Sequence, residues 1–205
     1  LNNPLADHEG YIWKMNHRGW AFKTSEYLII FDYEENGISP EKPTLSNGWV
    51  SPEEIQDQKV IVCYSAYHGK PGNMDKLHSL ESLMPDMTFF HDKSDRWRGG
   101  ENTILLDGTY TYLMENLKLE TYETTDLYGM GSLGYIIQVN GISIFYSSFI
   151  TEDKELFIRS IDNLSVPEAG ITVAIIDIPP AIETFFSRYI IERLGPQHVI
   201  LYSRQ

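Results

Sequence analysis

Cysteine is almost absent from this 205-residue sequence, in which Cys63 is the one example. A lone thiol excludes an internal disulfide and leaves the redox compartment open. Long apolar runs are missing too, since stretches such as YLIIF and ITVAIIDI fall far short of the roughly 20 residues that a membrane span needs. No signal peptide is recognisable, but the first residue is Leu rather than Met. The sequence therefore predicts no membrane span, and both a cytoplasmic protein and one exported after signal removal stay open.

Positive charge is scarce as well, with 16 Lys and Arg against 29 Asp and Glu and a formal net charge of −13. No basic run is long enough to follow a phosphate backbone, so nucleic acid is not expected as a partner. Hydrophobic residues make up 42% and aromatic residues 13%, which excludes a disordered chain. A chain of this length and composition can bury a substantial core.

Short aromatic or β-branched segments separated by turn residues predict strands in both halves of the chain. The first half has YIWKM, GWAFKT and YLIIFDY, expected to form an antiparallel meander, and then KVIVCYS. A second group comprises MTFFHD, NTILLDG, LKLETYET, LGYIIQVNG and ISIFYSS, with a hairpin at Asn140 and Gly141. The strands ITVAIIDI and HVILYS follow.

Helices are predicted between these strands from apolar residues at helical spacing. They lie in SPEEI, with Ser51 as cap, in NMDKLHSLESLM, in EDKELFIRSIDNL, and in IETFFSRYIIERLG, which ends at Gly195. Strands and helices thus alternate in two comparable halves, roughly 1–105 and 106–205. This order predicts an α/β domain spanning residues 1–205, in which two sheets pack together with helices outside.

Four stretches resemble the metallo-β-lactamase fold, and in particular its small metal-dependent hydrolase branch. They are HRGWAFKTSEYLIIFDY, VIVCYSAYHG, TTDLYGMGSLGYIIQVNGISIFYSSF and GPQHVILYS. The resemblance covers nearly the whole chain. It implies a four-layer αββα sandwich of two mixed β-sheets with outer helices.

The same alignment implies that the metal ligands of that family are missing. On the family's metal loop, VFVSHSHGDH, the two leading histidines fall on Tyr64 and Ala66, the aspartate on His68 and the last histidine on Gly69. Later ligand positions fall on Tyr146, Phe149 and Ser203, and Asp126 and Asp177 are expected beside them. A catalytic zinc needs at least three histidine or carboxylate ligands. We therefore expect no catalytic residues and no cofactor, and a pocket lined by Tyr64, Ala66, His68, Gly69, Asp126, Tyr146, Phe149, Asp177 and Ser203.

Three functions are consistent with this pattern. The first is a metallo-β-lactamase-like protein that has lost metal binding and hydrolase activity and that binds a small molecule or a protein as a scaffold. The second is a hydrolase with zinc in a rebuilt site of His68, Asp75, His78 and Asp126, because Asp75 and His78 are three residues apart on a predicted helix. The third is a metal-free enzyme that uses His68 and Asp177 as acid and base. The residues favour the first.

Two further sets of residues have open interpretations. Asp32 either supports the loop after KVIVCYS or forms a turn with its own backbone. Four tyrosines are expected to gather near the former metal centre and to fill a core or line a cleft: Tyr64, Tyr67, Tyr146 and Tyr202.

Overall fold

Two mixed β-sheets of six strands each form the framework of the chain. A computed structural model describes residues 4–16, 19–35, 38–65, 77, 80–81, 84, 86–92, 100–125, 131–147, 153–177 and 183–202. The chain divides into two compact units, Leu1–Leu105 and Leu106–Gln205. That residues 1–205 form a single domain stays a prediction.

The strands of the first sheet lie side by side in chain order. They are β1 (Tyr11–Lys14), β2 (Trp20–Lys23), β3 (Tyr27–Phe31), β4 (Lys59–Cys63), β5 (Met87–Asp92) and β6 (Thr103–Leu106). The predicted antiparallel meander of β1, β2 and β3 is confirmed, and β3, β4 and β5 then pair in parallel. Between β3 and β4 lie a 3₁₀ turn (Leu45–Asn47) and the short helix α1 (Pro52–Ile55), whose N-cap is Ser51 as predicted.

The second sheet has the order β12-β11-β10-β9-β8-β7. Its strands are β7 (Thr111–Met114), β8 (Leu117–Thr125), β9 (Gly131–Val139), β10 (Ile142–Ser147), β11 (Val173–Asp177) and β12 (His198–Tyr202). Strands β7 to β10 pair antiparallel, whereas β10, β11 and β12 are parallel. The β9–β10 hairpin turns at Asn140 and Gly141, which both have positive φ (48° and 73°), as the Asn-Gly signal predicts.

Two helices connect the parallel strands of the second sheet. They are α2 (Lys154–Asp162) after β10 and α3 (Glu183–Leu194) after β11. Asp153 caps α2, because its carboxylate accepts hydrogen bonds of 3.0 Å from the backbone N–H groups of Glu155 and Leu156. The helices bury Phe157 and Phe186, whose rings meet edge to face with centroids 4.6 Å apart. This face of the sheet forms one apolar core with the helices.

One strand was missing from the sequence prediction, namely β7. It is a short edge strand whose residues alternate between exposed and half-buried, so it carries no continuous apolar signal. The predicted helix in NMDKLHSLESLM lies almost entirely outside the described residues.

Asp32 fixes the point at which the chain leaves β4. Its backbone has a positive φ of 44°, and its N–H donates to the Cys63 carbonyl at 2.9 Å. Its carboxylate accepts hydrogen bonds from the Ser65 N–H at 2.7 Å and from the Ser65 Oγ at 2.6 Å. Ser65 is buried. The carboxylate therefore supports the loop after β4, which is the first of the two interpretations offered for this residue.

Tyr122 occupies space that a side chain at position 134 would otherwise fill. Tyr122 on β8 is paired with Gly134 on β9, and a Cβ atom at position 134 would overlap the Tyr122 ring. The ring is buried and stacks on Phe145 at 5.5 Å with an interplanar angle of 9°. Glycine is therefore required here for the close approach of an aromatic ring.

We expect Gly134→Ala to lower the free energy of unfolding by about 2–3 kcal/mol, because the new methyl group must displace the Tyr122 ring. In a Tyr122→Ala background the same substitution should cost less than about 0.5 kcal/mol, because the overlap is gone. Urea unfolding of the four proteins measures this coupling. An equal cost in both backgrounds would show that Tyr122 does not determine the need for glycine.

We also expect Asp32→Asn to destabilise the chain by about 1–2 kcal/mol, because a charge-assisted acceptor of two hydrogen bonds is lost while the left-handed backbone is still tolerated. Ser65→Ala should cost about 1 kcal/mol, and the double variant should cost less than the sum. The matched control is Asp57→Asn, an exposed carboxylate that should change stability by less than about 0.5 kcal/mol. Additive effects at Asp32 and Ser65 would contradict this account.

Candidate functional site

In the second unit, the carboxyl ends of three parallel strands bring predicted site residues together. Strands β10 and β11 are paired up to Ser147 and Ile176, and β11 and β12 up to Asp177 and Tyr202. The hydroxyl groups of Tyr146 and Tyr202 lie 3.3 Å apart, within hydrogen-bonding distance. Asp177 is buried, with 3% of its surface exposed, and it is paired in register with Tyr202. Sites in α/β sheets commonly form at such strand ends.

Tyr122 and Ser147 support this edge from the helix-covered face of the sheet. The Tyr122 hydroxyl donates to the Tyr146 carbonyl at 3.4 Å and hydrogen-bonds to the Ser147 side chain. Burial raises the pKa of Tyr122 well above its usual value, and the Ser147 bond offsets only part of this increase. The phenol is therefore neutral. Sequence reasoning did not identify either residue, although Gly134 opposite Tyr122 was an available signal.

In the first unit, Tyr64 lies directly after β4 and packs on His91 of β5. The two rings are stacked with centroids 4.6 Å apart and an interplanar angle of 28°. Tyr64 N–H donates to the Phe90 carbonyl at 3.0 Å, which extends the parallel pairing of β4 and β5 by one residue. Both rings are buried. Tyr64, at a position aligned with a ligand histidine, thus makes an aromatic contact within its own sheet.

Cys63 is the single thiol of the sequence, and its surroundings determine its reactivity. The thiol is buried at the end of β4. Burial, and secondarily the charge of Asp32, raise the pKa of Cys63 well above its ordinary value. Because an electrophile reacts with the thiolate, the Cys63 thiol is a poor nucleophile near neutral pH.

The donors at the described strand ends do not fit a catalytic zinc. In the part of the chain that the structure describes, no three His, Cys, Asp or Glu side chains converge on one point. The Asp32 carboxylate is bonded to Ser65, and Asp177 is accompanied by phenols, whose reference pKa is about 10. A catalytic zinc ion needs at least three histidine or carboxylate donors.

Most of the remaining predicted positions fall outside the described residues. Among the aligned pocket positions these are Ala66, His68, Gly69, Asp126, Phe149 and Ser203. For the rebuilt zinc site they are His68, Asp75, His78 and Asp126, which is the complete set. The fourth tyrosine, Tyr67, also lies there. Of the expected tyrosine cluster, the second unit brings Tyr146 and Tyr202 together.

None of the helices within the described segments is long and apolar enough to cross a membrane.

No family model and no curated protein matches this chain. Solved structures do match. CmlA, a diiron β-hydroxylase from Streptomyces venezuelae, superposes with a TM-score of 0.65 at 11% identity, over 98% of this chain and 45% of that one. The chain thus spans less than half the length of CmlA.

This chain matches a larger share of two other solved structures. The metallo-β-lactamase fold protein YhfI from Bacillus subtilis has a TM-score of 0.59 at 12% identity, over 92% of this chain and 81% of that one. The short form of human tRNase Z has a TM-score of 0.52 at 10% identity, over 94% and 93%. Identities this low establish the fold and nothing finer. The chain has the metallo-β-lactamase fold with two mixed six-stranded sheets, as the sequence resemblance predicted.

Proposed function

We propose that this chain is a metallo-β-lactamase-fold domain without the catalytic metal centre, which acts as a binding or scaffold domain through the ends of its strands. The observation that carries this proposal is the identity of the residues at the aligned ligand positions. Ala66, Gly69 and Phe149 have no side-chain atom that can donate electrons to a metal. The proposed function therefore does not include the hydrolysis that the fold alone would suggest.

The contacts of Asp32 support this proposal from the first unit. In a hydrolase, a carboxylate at this place would orient the metal loop, and here it still holds Ser65 with two short hydrogen bonds. After Ser65, the two positions aligned with ligand histidines are nevertheless Ala66 and Gly69, and His68 stands where the family has an aspartate. The support for the loop has been kept, whereas the residues that would use it for hydrolysis have been replaced.

The tyrosines of the second unit support a binding role. Tyr146 and Tyr202 combine aromatic faces with hydroxyl groups that can donate or accept, and Asp177 adds one carboxylate beside them. Tyr146 and Asp177 are buried and Tyr202 is half-buried, so Tyr202 is the member of this group that would meet a small molecule or a protein segment carrying a ring and hydrogen-bonding groups. We propose that all nine aligned positions contribute to binding: Tyr64, Ala66, His68, Gly69, Asp126, Tyr146, Phe149, Asp177 and Ser203.

The competing function is a hydrolase with zinc at His68, Asp75, His78 and Asp126. The spacing of Asp75 and His78 favours it, and so does the presence of metal-using enzymes such as CmlA among proteins of similar fold. The two functions differ in whether the purified protein retains a metal ion that depends on His68.

We expect the purified protein, dialysed without chelator, to contain far less than one zinc, iron or manganese ion per chain by mass spectrometry. Its melting temperature should not respond to a chelator or to added zinc, because no site couples metal binding to folding. The same preparation should not hydrolyse a chromogenic phosphodiester or ester faster when these metals are supplied.

His68→Ala and His198→Ala form a matched pair for this measurement, since His198 is an exposed residue at the start of β12. Both variants should have the metal content and melting behaviour of the parent protein. One tightly bound ion per chain that is lost in His68→Ala and retained in His198→Ala would establish the rebuilt site and refute the proposal.

A further inference from the structure

A second possible ligand site lies on the helix-covered face of the second sheet, where α2 runs beside β8. A groove of about 220 Å³ opens there. Its floor includes the buried side chains of Tyr122 and Leu164. The side chains of Tyr146 and Tyr202 are not part of its lining. The groove is thus a separate site, although its floor residue Tyr122 also donates a hydrogen bond to the Tyr146 carbonyl.

One wall of the groove is a single face of α2 and the residues that follow it. Leu156, Arg159, Ser160 and Asn163 follow the pattern i, i+3, i+4, i+7, so they lie along one side of the helix. The neighbouring face of α2 is anchored, because Phe157 and Ile161 are buried in the core and Asp153 caps the first turn. These polar side chains are thus presented to the groove by a fixed helix.

The opposite wall comes from Glu123 on β8 and from the loop that leads into β7. Thr121 holds this loop in place, since its Oγ donates to the Gly108 carbonyl at 2.7 Å and accepts from the Tyr110 N–H at 3.0 Å. Gly108 has a positive φ of 69°, and a Cβ atom there would lie 2.7 Å from Glu123 Oε1. Glycine at this position leaves room for the Glu123 carboxylate.

Opposite charges line the groove without neutralising each other. Arg159 donates through Nε to the Glu155 carbonyl at 3.3 Å, which is a contact within the helix that does not use the two Nη groups. Among the described residues, neither Arg159 nor Glu123 belongs to an ion pair. By contrast, Arg188 and Glu192 on α3 pair at 2.7 Å.

We propose that this groove binds a free α-amino acid with a compact apolar side chain. The ligand carboxylate would accept two hydrogen bonds from the Arg159 guanidinium, and its ammonium group would donate to Glu123. Ser160 and Asn163 would supply further hydrogen bonds, and the apolar side chain would lie mainly against the half-buried Leu156, with the buried Tyr122 and Leu164 at the floor. The volume, smaller than that of most drug-sized sites, limits the ligand to this size class.

The test is titration calorimetry with L-leucine and two analogues that each lack one charge: leucinamide, without the carboxylate, and 4-methylpentanoate, without the ammonium group. We expect L-leucine to bind and both analogues to bind at least about tenfold more weakly, because each loses a charge-assisted contact. No heat of binding for L-leucine at about 10 mM, or equal affinity for the three compounds, would overturn the proposal.

Substitutions then locate the site. Arg159→Gln and Glu123→Gln should each weaken L-leucine binding at least about tenfold. Arg188→Gln and Glu192→Gln, which change an arginine and a glutamate on α3 outside the groove, should leave it unchanged. Circular dichroism confirms that each variant is folded. Binding that survives in Arg159→Gln and Glu123→Gln, or that falls equally in all four variants, would place the ligand elsewhere and contradict the proposal.

Discussion

Parallel strand pairing is the constraint on which the rest of this structure depends. In each unit three strands run in parallel and end side by side, so the residue after each strand is brought next to its neighbours regardless of their distance in sequence. This pairing places Asp32 beside Ser65, and Tyr146 near Tyr202. What the protein can do at these edges is then decided by the chemistry of a few side chains.

At the strand ends that the structure describes, several of these side chains make contacts within the fold. The Asp32 carboxylate is bound to Ser65, Cys63 is buried with a raised pKa, and Tyr64 is stacked on His91. The apolar cores lie on the helix-covered face of the second sheet and around β3, β4 and β5 in the first. Folding therefore rests on buried apolar surface.

Local patterns predicted the elements well where the pattern was strong. The buried strands β4, β10 and β11, the hairpin at Asn140 and the Ser51 cap all follow from residue type and spacing. The edge strand β7 could not be predicted, because its half-exposed residues resemble a loop. At the candidate site, the resemblance placed Tyr146, Asp177 and Tyr202 at neighbouring strand ends. The Tyr122 contacts depend on the sheet register, which one sequence does not specify.

Anomalous diffraction tests the central claim most directly. Crystals grown with millimolar zinc or manganese would be measured above and below the absorption edge of the metal. The account predicts no anomalous peak with three or more protein ligands among His68, Asp75, His78 and Asp126. A strong peak within about 2.2 Å of three such donors would contradict it.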